Sequence, residues 1–148
     1  MGLARNDGCS VMKDLANLAY LAVDDDPGTQ QILLMLLSRV IGSSHFAILE
    51  NSEHFLEKVQ GLPFVPSVVL LDIAVRPLDG YSMLALLRNQ PGFTQAKIVA
   101  LTARVMNKEI ERMKLAGFDG LISKPIISPI FTELLTRIVQ GDSVWYVT

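Results

Sequence analysis

The sequence predicts an α/β fold, a doubly wound parallel sheet of five strands with helices on both faces. Five short apolar segments are each followed by a segment with helical features, which is the pattern of parallel strands joined by crossover helices. These segments are rich in Val, Leu and Ile with little alternation, which favours strands buried on both faces. Right-handed crossovers leave few possible strand orders, of which 2-1-3-4-5 is one.

Turn and cap residues divide the chain into its predicted elements. Pro27 suits the first position of a helix with Asp26 as its N-cap, and Gly42, Gly117 and Gly141 follow the ends of predicted helices. The predicted strands are 18–23, 46–49, 68–71, 97–101 and 121–123. The predicted helices are 27–40, 52–59, 81–89, 105–115 and 128–139.

Composition narrows the class of protein. A chain of 148 residues, half of them apolar, is long enough for one domain with a hydrophobic core. The longest apolar run has six residues, far short of the ~20 of a membrane span. A single cysteine, Cys9, excludes an internal disulfide and indicates the cytoplasm. The net charge of -2 argues against direct binding of nucleic acid by this domain.

The chemistry of the chain is concentrated at the ends of the predicted strands. Asp24, Asp25 and Asp26 follow the first strand, Asp72 the third, Thr102 the fourth and Lys124 the fifth. The carboxyl ends of parallel strands form one edge, where ligands bind in such sheets. Clustered carboxylates repel one another unless a cation neutralises them, and oxygen ligands of this kind suit Mg²⁺. A lysine and a hydroxyl nearby would receive a tetrahedral anion, so the pattern indicates phosphoryl transfer to a carboxylate.

These segments resemble the signature blocks of bacterial receiver domains in two-component response regulators, across residues 18–140. The intervals from Asp72 to Thr102 and from Thr102 to Lys124 are 30 and 22 residues, which match that family. The resemblance implies the flavodoxin-like receiver fold with strand order 2-1-3-4-5. The matching blocks are Val23-Asp24-Asp25-Asp26-Pro27, Leu70-Leu71-Asp72-Ile73, Asp79-Gly80, Ala100-Leu101-Thr102-Ala103 and Ser123-Lys124-Pro125.

The resemblance also implies an acceptor and a metal site. Asp72 would take the phosphoryl group from a histidine kinase or a histidine phosphotransfer protein. Mg²⁺ would be bound by Asp72, directly by Asp25, through a water by Asp24, and by the backbone carbonyl of Ala74. Such a protein is a regulator and no enzyme in the ordinary sense, although it promotes its own phosphorylation and dephosphorylation.

Further roles carry over to the phosphate-binding and switch positions. Lys124 and Thr102 would each contact a phosphoryl oxygen, and the small Ala103 would leave the path to the phosphate open. The Lys124-Pro125 peptide bond is usually cis in the family, an isomer tolerated before proline.

Two positions depart from the family pattern. Arg76 replaces a proline, which here comes one residue later at Pro77. Leu121, three residues before Lys124, replaces an aromatic ring that moves inward with the threonine and changes the face of the fourth helix, fifth strand and fifth helix. We therefore expect a weaker relay to this face and a larger role for the loop at 102–105, which includes Arg104.

Alternative functions follow from the same residues. An unphosphorylated pseudo-receiver would keep the fold as a protein-interaction module. A haloacid-dehalogenase-like phosphatase would use Asp24 with Asp26, two residues on, but the chain has no room for a cap domain. The predicted domain at 18–140 leaves a leader at 1–17 and a tail at 141–148, too short for an effector domain. The receiver would then be either a stand-alone protein or part of a longer regulator.

The first predicted helix contains six consecutive apolar residues, 32–37. At 100° per residue they cover every side of the helix, whereas a sheet buries only about half of it. Either the leader covers the remainder with Leu15 and Leu18, or an exposed patch binds a phosphotransfer partner or a second copy of the chain. We favour the contact surface.

Overall fold

The computed structural model describes residues 14–103 and 105–147 and contains a parallel sheet flanked by helices. The sheet order is β2-β1-β3-β4-β5-β6, so the predicted order of the first five strands is confirmed. All five strand pairs are parallel. The strands are β1 (Tyr20–Val23), β2 (Phe46–Leu49), β3 (Val68–Asp72), β4 (Lys97–Thr102), β5 (Gly120–Ser123) and β6 (Val144–Tyr146).

The sixth strand corrects the predicted count of five. Residues 144–146, inside the predicted tail, pair with β5 and extend the sheet. Three residues are too few for a periodic pattern. Packing against α5 and β5 is what makes this segment a strand, so the count was wrong by one.

Five α-helices connect the strands or follow them. They are α1 (Pro27–Met35), α2 (Phe55–Gln60), α3 (Gly80–Arg88), α4 (Asn107–Ala116) and α5 (Ser128–Val139). A π-helical turn, Leu36–Val40, continues α1, and a 3₁₀ turn, Pro91–Phe93, follows α3. Gly117 ends α4 with a φ of +108°, a conformation that favours glycine.

The second helix begins three residues later than predicted. The Ser52 hydroxyl, expected in the first turn, donates to the Leu78 carbonyl at 2.7 Å and accepts from the Leu78 amide at 2.6 Å. His54 then has a φ of +51°, outside the helical region. A long-range contact therefore displaces the start of α2 to Phe55.

Side chains on alternate faces of the strands form two core layers. Tyr20 and Ala22 of β1 belong to the layer under α1 and α5, whereas Leu21 and Val23 belong to the layer under α2, α3 and α4. Helices cover both faces of the central strands, so charged and polar side chains can reach solvent only at the strand ends. No helix in the described part of the chain is long and apolar enough to cross a membrane.

The six apolar residues at 32–37 are partly covered by the leader and partly exposed, so each of the two predictions accounts for some of them. Leu33, Leu36 and Leu37 are buried, and Leu15 from the predicted leader packs in the same layer. Leu34 remains 51% exposed and Met35 41% exposed. Leu15 therefore covers part of the helix, and the rest of the run stays accessible to solvent within the described structure.

A matched pair of substitutions tests this division. Leu37→Ser should lower the free energy of unfolding by about 3 kcal/mol or more, because it removes a fully buried leucine and introduces a hydroxyl. Leu34→Ser, in the same helical segment, should change it by no more than about 0.5 kcal/mol. Urea unfolding measures both values, and equal losses would contradict the assigned orientations.

Candidate functional site

The predicted site residues meet at one edge of the sheet. Asp24 follows β1, Asp72 ends β3, Thr102 ends β4, and Lys124 follows β5. These four strands are consecutive neighbours in the sheet. Parallel pairing in register places their carboxyl ends together, so residues up to 100 positions apart in sequence share one site.

Three carboxylates form the acidic part of this site. One oxygen from each of Asp24, Asp25 and Asp72 lies within 4.8 Å of the other two. Asp24 is fully buried and Asp72 is 4% exposed, whereas Asp25 lies at the surface. The cluster therefore has two carboxylates in the protein interior and one on the solvent side.

Lys124 links the two buried carboxylates. Its Nζ lies 2.8 Å from Asp24 Oδ2 and 3.3 Å from Asp72 Oδ2. Apart from this ion pair, Asp24 Oδ2 has no hydrogen-bond partner in the described structure. The site thus combines three carboxylates with one ammonium that contacts two of them, so its net charge is negative when the carboxylates are ionised.

Burial and the contact between Lys124 and Asp24 shift the pKa of each of these two groups in opposite directions. Burial raises the pKa of Asp24 above its ordinary value, and nearby Asp72 adds to this, while bonds from Lys124 and the Asp26 amide oppose it. Burial alone would lower the pKa of Lys124, but its contacts with Asp24 and Asp72 outweigh burial and raise it. Lys124 therefore stays protonated beside the carboxylates.

Backbone amides orient the two buried carboxylates. The Asp26 amide donates to Asp24 Oδ1 at 2.9 Å, and the Ala74 amide donates to Asp72 Oδ1 at 3.1 Å. On both side chains these bonds involve Oδ1, and Lys124 contacts Oδ2. The predicted metal contributor Ala74 is therefore beside the acceptor, in the turn that follows β3.

Asp26 belongs to the helix and not to the acidic cluster. Its Oδ2 accepts from the amide and the hydroxyl of Thr29, at 2.9 and 2.8 Å, and this confirms it as the N-cap of α1. These bonds lower the pKa of Asp26. The acidic cluster therefore does not contain the pair of Asp24 and Asp26 that a dehalogenase-like phosphatase would need.

Gln30 is a site residue that sequence reasoning missed. Its Nε2 donates to the backbone carbonyl of Asp24 at 2.7 Å and so holds the end of β1 against α1. Its position one turn into a helix is compatible with many roles, and nothing in the sequence singles it out. Only the packing of α1 on the strand end identifies the contact.

The predicted switch positions, Thr102 and Ala103, lie at the same edge of the sheet as the acidic cluster. Thr102 is buried and is the register partner of Ser123, and Ala103 is exposed. The Lys124-Pro125 bond is cis as predicted, and the Arg76-Pro77 bond is also cis. A groove of about 590 Å³ opens at Ala103 and Lys124 and continues to Ile32 of α1. Arg104 lies outside the described residues.

Comparisons with known sequences give a consistent assignment. A family model described as the response regulator receiver domain matches residues 20–138. The chain is 26% identical over 127 residues to the signal transduction histidine-protein kinase BarA of Escherichia coli, covering 86% of this chain and 13% of that kinase. It is 29% identical over 124 residues to the response regulator Rre1 of Synechocystis, covering 81% of this chain and 52% of Rre1. The chain thus spans only part of these relatives.

Solved structures share the fold. The chemotaxis response regulator CheY4 of Vibrio cholerae aligns with a TM-score of 0.73 at 22% identity, over 82% of this chain and 98% of that one. The receiver domain of the sensor histidine kinase PA1611 of Pseudomonas aeruginosa aligns with a TM-score of 0.71 at 23% identity, over 84% and 99%. That structure holds a magnesium ion in its active-site cleft.

The raised pKa of Asp24 predicts a specific pH dependence of stability. Its carboxyl binds a proton more tightly in the folded than in the unfolded state, where the pKa is near 3.8. In chelator, wild type should therefore lose stability relative to Asp24→Asn as pH rises from 3.8 through the raised pKa, and then run parallel to it.

Asp26→Asn is the matched control, because the pKa of Asp26 is lowered. Relative to this variant, wild type should lose stability as pH falls below 3.8 towards the lowered pKa, which is the opposite sign. Urea unfolding across the acidic range measures both differences. The same sign for the two variants would contradict the assigned environments.

Proposed function

Because the chain belongs to the response-regulator receiver family, we propose that it is a phosphorylation-activated switch of a two-component system, with Asp72 as the phosphoacceptor. The observation that carries this proposal is the position of Asp72 at the end of a central strand, between Asp24, Asp25 and Lys124. A histidine kinase or a histidine phosphotransfer protein would supply the phosphoryl group. An Asp72 carboxylate oxygen would bond to phosphorus as the phosphorus–nitrogen bond of the phosphohistidine breaks, and the imidazole nitrogen would take a proton from solvent and leave as neutral histidine.

The donor set fits Mg²⁺. Three carboxylate oxygens within 4.8 Å of one another, whose charge one ammonium offsets only in part, match a hard divalent cation that prefers oxygen. Asp25 would bind the ion directly, Asp24 through a water, and Asp72 and the Ala74 carbonyl would complete the protein ligands. When bound, the ion supplies the charge neutralisation that phosphoryl transfer to a carboxylate requires.

The remaining side chains would receive the phosphoryl group. Lys124 Nζ is 3.3 Å from Asp72 Oδ2, a position from which it would contact an oxygen on the attached phosphorus. Thr102 ends the next strand and would hydrogen-bond a second oxygen. Exposed Ala103 borders the groove that also reaches Lys124, and its small side chain would leave the path to the phosphate open.

Labelling by acetyl phosphate tests the acceptor. Wild type should gain one acid-labile phosphate in Mg²⁺ and none in chelator, and Asp72→Asn should gain none because it has no nucleophilic carboxylate. Asp25→Asn should label slowly, since it weakens metal binding. Glu57→Gln, at an exposed carboxylate on α2, is the control and should label at the wild-type rate.

Labelling of Asp72→Asn at the wild-type rate would refute the acceptor assignment. Absence of labelling in wild type with Mg²⁺ would favour the alternative function, an unphosphorylated pseudo-receiver that acts through protein contacts.

The exposed part of α1 is the surface we propose for the phosphodonor protein. Leu34 and Ile32 border a groove beside α1, and Ile32 also lines the groove that leads to Lys124. An apolar surface therefore continues from the helix to the phosphate path. A donor protein bound here would bring its phosphohistidine towards Asp72.

Leu34→Ser should slow phosphotransfer from the donor protein by about tenfold, because it removes an exposed apolar contact. Labelling of the same variant by acetyl phosphate should remain at the wild-type rate, since a small donor does not need the helix surface. Size-exclusion chromatography tests whether the same surface also dimerises. Equal slowing with both donors would place the defect in the site and not at the surface.

A further inference from the structure

The C-terminal strand β6 occupies the edge of β5 between α4 and α5. Its register partners on β5 are consecutive: Gly120 pairs with Val144, Leu121 with Trp145, and Ile122 with Tyr146. Val144 is buried in the layer under α5, and Lys114 Nζ of α4 lies 5.4 Å from the centroid of the Trp145 ring. The strand therefore contacts both helices that border this face.

Gly120 makes the close approach of β6 possible. A Cβ atom added at this position would lie 2.8 Å from the Val144 carbonyl oxygen and 3.0 Å from Ile138 Cδ1. Real Cβ atoms essentially never come that close to backbone, so any larger residue would displace the strand. An ion pair between Arg137 and Asp142, at 3.4 Å, joins the end of α5 to the segment that leads into β6.

A lateral row of side chains connects β6 to the switch threonine. Ala100 of β4, Leu121 of β5 and Trp145 of β6 are register partners and pack in the layer under α2, α3 and α4. Thr102 lies two residues beyond Ala100, on the same face of β4. Leu121 is fully buried and Trp145 is partly exposed, so the row runs from the interior to the surface.

We propose that Trp145 on β6 reports the phosphorylation state of this protein, acting through Leu121. This inference rests on the proposed function. When Thr102 moves towards the phosphoryl group, the volume beside it is taken by Leu121, and the Trp145 ring follows Leu121 inward. Close packing transmits such a shift, because a void beside Leu121 would forfeit its contacts. The phosphorylated state then docks β6 more firmly and changes the surface between α4 and α5.

Thermodynamic linkage between docking of β6 and binding at Asp72 sets the expected size of the effect. If phosphorylation favours the docked strand, loss of docking must weaken binding of a phosphoryl mimic by the same factor. Such couplings are commonly about fivefold or more. Trp145 is the chain's one tryptophan, so its fluorescence reports this strand alone.

The first experiment measures Trp145 fluorescence in the full chain with Mg²⁺, before and after addition of beryllofluoride. Fluorine NMR on the same samples shows whether beryllofluoride is bound. We expect a blue shift and weaker quenching by acrylamide in wild type, and neither change in Asp72→Asn. Bound beryllofluoride with unchanged fluorescence overturns the inference and leaves the proposed function intact. Absence of bound beryllofluoride contradicts the proposed function itself.

The second experiment compares neighbouring aromatic residues of the same strand. Trp145→Ala should weaken beryllofluoride binding about fivefold or more. Tyr146→Ala should leave it unchanged, because Tyr146 packs in the opposite layer, under α1 and α5. Gly120→Ala, which displaces β6, should match Trp145→Ala and should increase quenching of Trp145 before beryllofluoride is added.

Two outcomes of this comparison contradict the inference. Equal weakening by Trp145→Ala and Tyr146→Ala would mean that β6 acts only as structural support. No weakening by either variant would mean that β6 is uncoupled from the site. If Gly120→Ala does not fold, the Trp145 and Tyr146 pair decides the question alone.

Discussion

The ion pair of Lys124 with Asp24 and Asp72 joins the ends of three strands in one small volume. Two buried carboxylates side by side are unfavourable, because each loses its hydration and each repels the other. The Lys124 ammonium offsets part of this, and removing one partner from a buried pair typically costs about 3–5 kcal/mol. The ion pair therefore helps to hold the end of β5 against the ends of β1 and β3.

The two core layers make this arrangement possible. Because the apolar faces of helices pack on both sides of the sheet, the strand ends are the places where charged groups can meet without crossing the core. The incomplete neutralisation left by a single lysine is the property that would favour a divalent cation at the proposed magnesium site. The charge repulsion that costs stability would thus be relieved by the proposed ion.

The face formed by α4, β5 and α5 contains a smaller residue, Leu121, than the family pattern would have there. Leu121 is fully buried and cannot present a ring to solvent, but its neighbour on the next strand, Trp145, can. An aromatic side chain is thus restored to this face from a different part of the chain. The proposal for β6 rests on that juxtaposition and on the space left by Gly120.

The carboxylates of the site, Thr102 and Lys124 were predictable from the sequence, and the resemblance to the family blocks added the strand order. The site residues were predictable because apolar runs that end in Asp, Thr or Lys are local patterns, and parallel pairing brings such ends together. Tertiary structure alone decided the start of α2, the contact of Gln30 with Asp24, the burial of Leu37 beside exposed Leu34, and the strand at 144–146. Each of these depends on a partner distant in sequence: Leu78 fixes Ser52, the end of β1 receives Gln30, and Gly120 admits Val144. A pattern within a few residues carries no information about such partners, and the packed fold does.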